Sequence, residues 1–199
     1  MILNTPLSEE LVRSLRVGET VRLNGILYTG RDEVHRRALE MHERGEKLPV
    51  DLKGATLFHC GPIVKNESTG WKVLAAGPTT SARMNALEPK FIENFGVRAI
   101  IGKGGMSRQT VDAMKRFGCV YLAATGGTAV TIAKSIRRVV GVEWSDLGMA
   151  EALWIFEVKD FGPLIVAIDT NGESLYERVE RSVANNLLVV RKMLGLKKA

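Results

Sequence analysis

Two short segments in the middle of the chain carry residues suited to binding an anion. The first is GPTTSARM at residues 77–84, and the second is IIGKGGMS at residues 100–107. Each follows a short apolar run of the kind that forms a buried strand, and functional sites are usually built on loops at strand ends. Arg83 and Lys103, held at two such bends, predict a receptor for a carboxylate or a phosphate.

The threonines of the first segment offer hydroxyls and main-chain N–H groups at the predicted start of a helix, which is a natural anion site. Arg83 lies one helical turn beyond Thr79, so both side chains are expected to face the same direction. A structural interpretation competes with this one: Thr79 or Thr80 is then only a helix cap, and Arg83 is a solvated surface residue. Taken alone, the segment fits both interpretations.

The second segment differs from a phosphate-binding P-loop in the spacing of its glycines and lysine. Lys103 and neighbouring amides could still reach an anion, or the segment could be a plain turn. The same letters also match the GxxG loop of KH domains, which clamps a nucleic-acid backbone. In KH domains that loop joins two helices, whereas here residues 97–101 are β-branched and predict a strand. A KH-like RNA-binding module is therefore the second hypothesis, from a different class.

A third cation lies at another predicted strand-to-helix junction, in Gly30–Arg31–Asp32. Arg31 repeats the arrangement of a cation after a strand, and Asp32 is predicted to cap the helix that follows. His59 stands beside Cys60, but no other histidine lies at ligand spacing. We interpret His59 as a core or interface residue.

Composition limits the remaining function classes. The chain has 199 residues with a formal net charge of +6, which favours anionic partners. Its two cysteines, Cys60 and Cys119, are far apart, and two thiolates cannot hold a cubane iron–sulfur cluster. A chemistry that needs such a cluster would need another chain to supply it. No apolar run is long enough to span a bilayer and the N-terminus does not resemble a signal peptide, so a cytoplasmic location is expected.

The pattern of apolar residues predicts an α/β fold of one domain, with a mixed sheet and a C-terminal amphipathic helix. Strands are predicted at 20–28, 56–60, 73–76, 97–101, 119–123, 139–143, 153–158 and 164–168, the last two forming a pair joined through 159–163. Helices are predicted at 7–15, 32–44, 79–94 with an interruption at Pro89, 107–117 and 128–137. Residues 171–199 are interpreted as a helical extension of the single domain 1–199, with an apolar stripe at Leu175, Val179, Val183, Leu187, Val190 and Leu194.

Several of these segments together resemble a known family. They are GRDEVHRR, HCGPIV, GPTTSARM, IIGKGGMS, YLAATGGTAV and DLGMAEALWIFEVKDFGPLIVAID. In this order they are similar to the β subunit of class I, iron–sulfur-dependent fumarate hydratase and of L(+)-tartrate dehydratase, over nearly the whole chain. The resemblance implies a swivelling β/β/α domain. It also implies an α subunit that carries a [4Fe–4S] cluster on three cysteines, with the active site between the two chains.

The resemblance assigns roles to four residues. It implies that Arg31, Arg83 and Lys103 hold the carboxylates of a C4 dicarboxylate, and that Thr79 is the catalytic base. Single-chain relatives have KGNRS where this chain has KGGMS, which favours the two-subunit arrangement. Fumarate hydration to malate is the expected reaction and tartrate dehydration the alternative, in an (αβ)₂ assembly or as a homodimer when isolated. No metal ligand of this chain, no specific nucleic acid and no membrane is expected to take part.

Elementary chemistry agrees with these roles. Removal of a proton from the carbon beside a carboxylate builds further negative charge, which fixed cations stabilise. A threonine hydroxyl is a weak base, and a close cation such as Arg83 would lower its pKa. Asp32 is an alternative proton acceptor, although it is interpreted as a cap.

Overall fold

A seven-stranded mixed sheet forms the centre of the molecule. The structure is a computed structural model, and it describes residues 1–68 and 70–195. The strands are β1 (Ile2–Asn4), β2 (Thr20–Thr29), β3 (Thr56–Phe58), β4 (Ile63–Glu67), β5 (Gly70–Ala75), β6 (Ala99–Gly102), β7 (Val120–Ala123), β8 (Ile136–Glu143) and β9 (Leu153–Ile168). The helices are α1 (Glu9–Ser14), α2 (Asp32–Glu43), α3 (Glu88–Phe95), α4 (Arg108–Phe117), α5 (Ala129–Ala133) and α6 (Leu175–Met193), with short 3₁₀ helices at Ser81–Met84 and Ser145–Leu147.

The order of strands in the sheet is β1-β2-β3-β6-β7-β9-β8, and β2 also pairs with β9. This extra pairing closes β2, β3, β6, β7 and β9 into a barrel of five strands. Strands β1, β2, β3, β6 and β7 are parallel to one another, whereas β9 runs antiparallel to β2, β7 and β8. Strands β4 and β5 form a separate hairpin.

Alternate residues of the strands build two apolar cores, as expected when both faces of a sheet are covered. One core fills the barrel and includes Leu23, Leu27, Phe58, Ile101, Leu122, Phe156 and Val166. The other lies between the sheet and the helices and includes Leu57, Phe91, Ile100, Val111, Met114 and Tyr121. Burial on both faces fixes the strand register, because a slip of one residue would exchange the two sets.

The predicted α/β fold with a mixed sheet and a C-terminal helix is confirmed. Parallel pairing of the strands in the middle of the chain is also present. Ser8 and Ser107 cap α1 and α4 by accepting hydrogen bonds from the N–H groups of Leu11 and Thr110. Among residues 1–68 and 70–195, no helix is both long and apolar enough to cross a bilayer.

The predicted strand pair at 153–158 and 164–168 is wrong, because β9 is one strand of sixteen residues. Residues 159–163 suggested a connection since they include Gly162 and Pro163, which are common in turns. Here the backbone bends instead, with a φ of 52° at Asp160 and 138° at Gly162, while Phe161 keeps its pairing with Leu23. The turn residues thus serve a bulge within a continuous strand.

Two helix predictions need correction as well. The helix predicted at 128–137 ends at Ala133, because β-branched residues from Ile136 onward pair with β9. The helix predicted at 79–94 begins as a 3₁₀ turn and resumes as α3, where Pro89 lies in the first turn rather than interrupting a helix. The hairpin strand β4 was not predicted.

Candidate active site

The carboxyl ends of the parallel strands meet at one edge of the barrel, which we call the carboxyl edge. Arg31 follows β2, His59 follows β3, Lys103 follows β6, and Gly126 lies in the loop after β7. In α/β sheets this edge is where ligands bind, because the loops there converge. The order of the strands therefore brings together residues that are far apart in sequence.

The segment 77–84 crosses the carboxyl edge and is attached to it by main-chain hydrogen bonds. Thr79 N–H donates to His59 O over 2.6 Å, and Lys103 N–H donates to Thr79 O over 3.1 Å. Ser81 N–H then donates to Lys103 O over 3.0 Å, and Thr80 and Lys103 form a parallel bridge. Thr79 and Lys103 are thus neighbours, as the site prediction requires.

The structure changes one argument about Thr79. Thr79 lies in extended backbone before the 3₁₀ helix, so the helical spacing that was expected to align it with Arg83 does not apply. Thr79 is half-buried, whereas Thr80 is exposed. Attachment to the strands, rather than helical geometry, positions Thr79.

Arg83 forms an ion pair with Asp32, whose carboxylate oxygen Oδ2 lies 2.8 Å from the guanidinium. The predicted capping role of Asp32 is wrong: Arg31 occupies the cap position of α2, and no side chain caps the helix there. The Asp32 carboxylate contacts the segment 77–84 instead. Because Asp32 is adjacent to Arg31, this ion pair brings Arg83 to the loop that carries Arg31.

Arg31 is paired with a carboxylate that the sequence analysis did not single out. Its Nε lies 3.0 Å from Glu151 Oε1, and both side chains are only about one-fifth exposed, at 20% and 21%. Gly61 leaves room for this arginine, since a Cβ there would lie 2.7 Å from the Arg31 guanidinium and 2.7 Å from Ala150 O. The signal available in the sequence was an acidic residue just before β9.

The charges of the carboxyl edge nearly balance. Two of the three predicted cations already have carboxylate partners, so five charged groups sum to +1. Within residues 1–68 and 70–195, Lys103 forms no ion pair and is exposed. Its Cδ lies 3.8 Å from the position of a Cβ on Gly126. An anionic ligand would therefore gain Lys103 directly and would compete with Asp32 and Glu151 for the arginines.

Beneath the carboxyl edge lies a buried polar cluster of five fully enclosed side chains, which we call the histidine–glutamate cluster. Glu88 Oε2 lies 2.9 Å from His59 Nε2 and 3.2 Å from His35 Nε2. His59 Nδ1 is 2.8 Å from Ser81 Oγ, to which the Tyr121 hydroxyl also donates over 2.9 Å. The interpretation of His59 as a core residue is confirmed, but it is part of a network that begins directly below Thr79.

The buried charges shift one another's pKa values. Burial acts to raise the pKa of Glu88, but the two histidines outweigh it and lower that pKa to about 2. Burial acts to lower the pKa of His35, but Glu88 outweighs it and the pKa rises. Burial lowers the pKa of His59 below its usual value despite the same carboxylate. The directions are those of an ionised Glu88 whose charge favours a proton on His35 over a second proton on His59.

His35, His59 and Glu88 also form a donor set in which all three ligand atoms lie within 4.8 Å of one another. A tetrahedral zinc ion with bonds of about 2.0–2.1 Å would separate its ligand atoms by roughly 3.3 Å. The observed 2.9 Å and 3.2 Å contacts to a single oxygen are shorter than that. Direct contact of the carboxylate with both rings fits this geometry better than ligation of an ion.

A comparison with known protein families shows to which family the chain belongs. The sequence profile of a family described as Fumarase C-terminus matches residues 1–179. The chain belongs to this family.

Three relatives show how the chain relates to whole proteins. The putative L(+)-tartrate dehydratase subunit beta of Methanocaldococcus jannaschii is 46% identical over 191 residues, which cover 96% of each chain. The L(+)-tartrate dehydratase subunit beta of Escherichia coli is 42% identical over 174 residues, covering 87% of this chain and 85% of that one. The putative fumarate hydratase class I of Geobacillus stearothermophilus is 45% identical over 186 residues, which are 93% of this chain but 35% of the relative.

The fold of this Fumarase C-terminus member also tests the alternative hypothesis of a KH-like RNA-binding module, which was based on the GKGG sequence. In KH domains the GxxG loop joins two helices. Here the loop joins strand β6 to helix α4. The main-chain groups of Lys103 are bonded to Thr79 and Ser81, so they are engaged within the chain itself. The structure therefore gives no support to a KH-like module.

The two cysteines of this Fumarase C-terminus member lie too far apart in the fold to bind one iron–sulfur cluster. Cys60 follows β3 and belongs to the core that fills the barrel, whereas Cys119 precedes β7 and belongs to the core beneath the helices. Both are buried free thiols, and burial raises the pKa of both. Two separated thiols cannot ligate a [4Fe–4S] cluster, so the residues described here do not fit that group.

The candidate site is an open surface. Arg83 and Lys103 are exposed and Thr79 is half-buried, so the carboxyl edge faces outward. A groove of about 650 Å³ lies elsewhere, between the β4–β5 hairpin and β8, and none of the four predicted site residues lines it. An open arrangement of this kind needs another surface to exclude water from a bound ligand.

We expect Gly102→Ala to disrupt the attachment of the segment 77–84. A Cβ at Gly102 would overlap Ser81 Oγ, and Ser81 cannot move aside because it is fixed by His59 and Tyr121. Overpacking of this kind costs about 1–3 kcal/mol in free energy of unfolding. Urea unfolding should show this loss, whereas Gly126→Ala, whose Cβ would meet nothing closer than 3.8 Å, should unfold like wild type. Equal stability of the two variants would contradict the tight packing described here.

Proposed function

We propose that this chain is the β subunit of a two-subunit iron–sulfur hydro-lyase that reversibly hydrates fumarate to malate. One observation supports it above all: Thr79, Arg31, Arg83 and Lys103 lie together at the carboxyl edge of a chain that belongs to the Fumarase C-terminus family. Three cations on neighbouring loops at this edge suit a small dianion. The open surface suits a site that a second chain completes.

In this proposal the cations bind the two carboxylates of the substrate. Arg31 and Arg83 exchange their contacts with Glu151 and Asp32 for contacts with substrate, and each can hold a carboxylate with two parallel N–H bonds. Lys103 supplies a charge that is not already neutralised among the described residues. The same groups stabilise the extra negative charge that develops when a carbon beside a carboxylate loses its proton.

Thr79 is proposed to receive that proton at its hydroxyl oxygen. Its main chain is fixed on both sides, by His59 O and by Lys103 N–H, so the backbone that carries the hydroxyl lies beside that of Lys103. Nearby cations favour the deprotonated form of a hydroxyl. The [4Fe–4S] cluster is proposed to reside in the α subunit, where its iron would act as a Lewis acid on the hydroxyl that leaves.

Dehydration of L(+)-tartrate is the second candidate. It is favoured by the relatives from M. jannaschii and E. coli, whose names include L(+)-tartrate dehydratase subunit beta. Both reactions remove or add water next to a carboxylate of a C4 diacid, so the residues of the carboxyl edge would have the same roles in each. The discriminating hydroxyl contacts would have to come from the completed site. An (αβ)₂ assembly in the cytoplasm is part of the proposal.

Reconstitution tests the proposed function. The chain alone, treated anaerobically with iron and sulfide, is expected to form no stable cluster and to turn over neither fumarate nor L(+)-tartrate. Co-expression with a cluster-bearing α subunit is expected to give a complex that converts one of them. Absorbance of the iron–sulfur cluster measures its formation, loss of fumarate absorbance measures hydration, and formation of oxaloacetate measures the dehydration of L(+)-tartrate. Turnover by the isolated chain, or a cluster-loaded complex that acts on neither diacid, would refute the proposal.

A further inference from the structure

We propose that Glu88 is a positioning residue, which with His35 and His59 locks the loop of Arg31 to the segment that carries Thr79 and Arg83. The kinetic part of this inference rests on the proposed function, whereas the arrangement of protons in the cluster does not. The inference arises from a buried carboxylate that the proposed chemistry leaves without a role.

The histidine–glutamate cluster is attached to the site at two ends. At one end, His35 Nδ1 lies 2.7 Å from Arg31 O. At the other end, His59 contacts Ser81 through its ring, and its main-chain oxygen accepts the Thr79 N–H. Glu88 stands between the two histidines and contacts both. The carboxylate therefore joins the two parts of the site through its contacts with both histidines.

The donors and acceptors of the cluster assign its protons. A carbonyl oxygen only accepts, so His35 Nδ1 carries a proton that it donates to Arg31 O. His35 Nε2 faces a carboxylate oxygen, which also calls for a proton, and His35 is therefore an imidazolium. The contact is charge attraction rather than a linear hydrogen bond, since neither Glu88 oxygen has an aligned donor. The other charged group acting on His35 is Asp32.

The protons on the other side follow in the same way. The Tyr121 hydroxyl donates to Ser81 Oγ, which leaves the Ser81 hydroxyl free to donate to His59 Nδ1. His59 Nε2 then carries the only ring proton of His59, and its 2.9 Å contact with Glu88 Oε2 is again electrostatic rather than a linear hydrogen bond. The assignment leaves one cationic and one neutral histidine around one carboxylate. It accounts for the opposite directions in which the pKa values of His35 and His59 shift.

Such a cluster resists motion between the two parts of the site. Separation of the Arg31 loop from the segment 77–84 would leave a buried carboxylate and a buried imidazolium without partners, which is costly. The arginines and Thr79 are thereby held in one mutual geometry before substrate arrives. A displacement of about 1 Å in a catalytic group can cost roughly a hundred-fold in rate.

Nitrogen NMR of the imidazole rings in the isolated full-length chain tests the proton assignment. At pH 7.5 we expect one histidine with both nitrogens protonated, His35, and one buried neutral histidine with its proton on Nε2, His59. His42 is exposed and serves as the reference. In Glu88→Gln, His35 should become neutral at this pH. Glu93→Gln, an exposed carboxylate on the same helix, should leave all three rings unchanged.

Three results would overturn the assignment. A neutral His35 in the wild-type spectrum contradicts it without any variant, so the test does not depend on whether Glu88→Gln folds. An unchanged His35 in folded Glu88→Gln also contradicts it. Stoichiometric zinc in the purified wild-type chain that is absent from Glu88→Gln would make the cluster a metal site instead.

Kinetics of the assembled enzyme test the positioning role. Glu88→Gln should lower kcat, normalised to iron–sulfur cluster content, by about 10- to 100-fold and change KM less. Glu93→Gln should match wild type. Wild-type kcat in a Glu88→Gln enzyme with a neutral His35 would reduce Glu88 to a structural role and refute the proposal. Failure of the proposed function is distinguishable, because it would leave the wild-type complex inactive while the NMR result stands.

Discussion

Replacement of Thr79 by valine in the assembled enzyme should lower kcat by about two to four orders of magnitude, the usual contribution of a general base. Valine preserves the shape of threonine and removes only the hydroxyl. The main-chain bonds of Thr79 to His59 and Lys103 do not involve that hydroxyl, so the segment should keep its place. KM should change less than kcat, because the cations proposed to bind the carboxylates remain.

The neighbouring threonine provides a matched control for this experiment. Thr80 lies in the same segment but is exposed, so Thr80→Val should retain most of the activity. Steady-state kinetics of both variants, normalised to cluster content, measure the difference. A Thr79→Val enzyme with near wild-type kcat would remove Thr79 from the mechanism.

Replacement of Lys103 by methionine should lower kcat/KM by roughly 10- to 100-fold, since the loss of a charge-assisted contact costs about 1.5–3 kcal/mol. Methionine keeps the apolar stem and removes the charge. Arg83→Lys should also be damaging, because an ammonium cannot form the two parallel bonds of a guanidinium to a carboxylate. Lys90→Met, an exposed lysine on α3, is the control and should be neutral. If Lys103→Met and Arg83→Lys both behaved like wild type, the site assignment would fall.

The carboxylates beside the arginines affect both the orientation of the cations and the binding of an anion. Asp32 and Glu151 hold the guanidinium groups in the absence of substrate, so the cations are oriented before binding. In the proposed mechanism they also compete with the substrate, which would limit how tightly a dianion is held. Uniformly tight binding of the ground state would not accelerate the reaction, so this competition favours turnover over affinity.

The sequence predicted the parts of the site that depend on local signals. Glycine bends after apolar runs indicated where Arg31, Arg83 and Lys103 would stand, and the parallel strands then bring such loops to one edge. Glu88 and Glu151 were not predicted, because a buried or paired carboxylate has no local pattern. Its partners come from other elements, and only the folded chain shows them.

The errors in the predicted fold have a related cause. Gly162 and Pro163 are turn residues by local preference, and in β9 the pairing with β2 overrides that preference. The periodicity of Ile136 and its neighbours is compatible with either a helix or a strand. They form a strand because they pair with the edge of β9. Local propensity failed where a long-range partner determined the outcome.

The closing strand β9 has a consequence for how the chain is made. Thr20 pairs with Ile165, so the barrel cannot close until the ribosome has synthesised β9. Until then β2 and β7 each lack their β9 partner and present open hydrogen-bonding edges, the kind of surface through which nascent chains associate wrongly. The nascent chain must therefore acquire its final barrel late in synthesis, and pairing across so much sequence makes that closure slow.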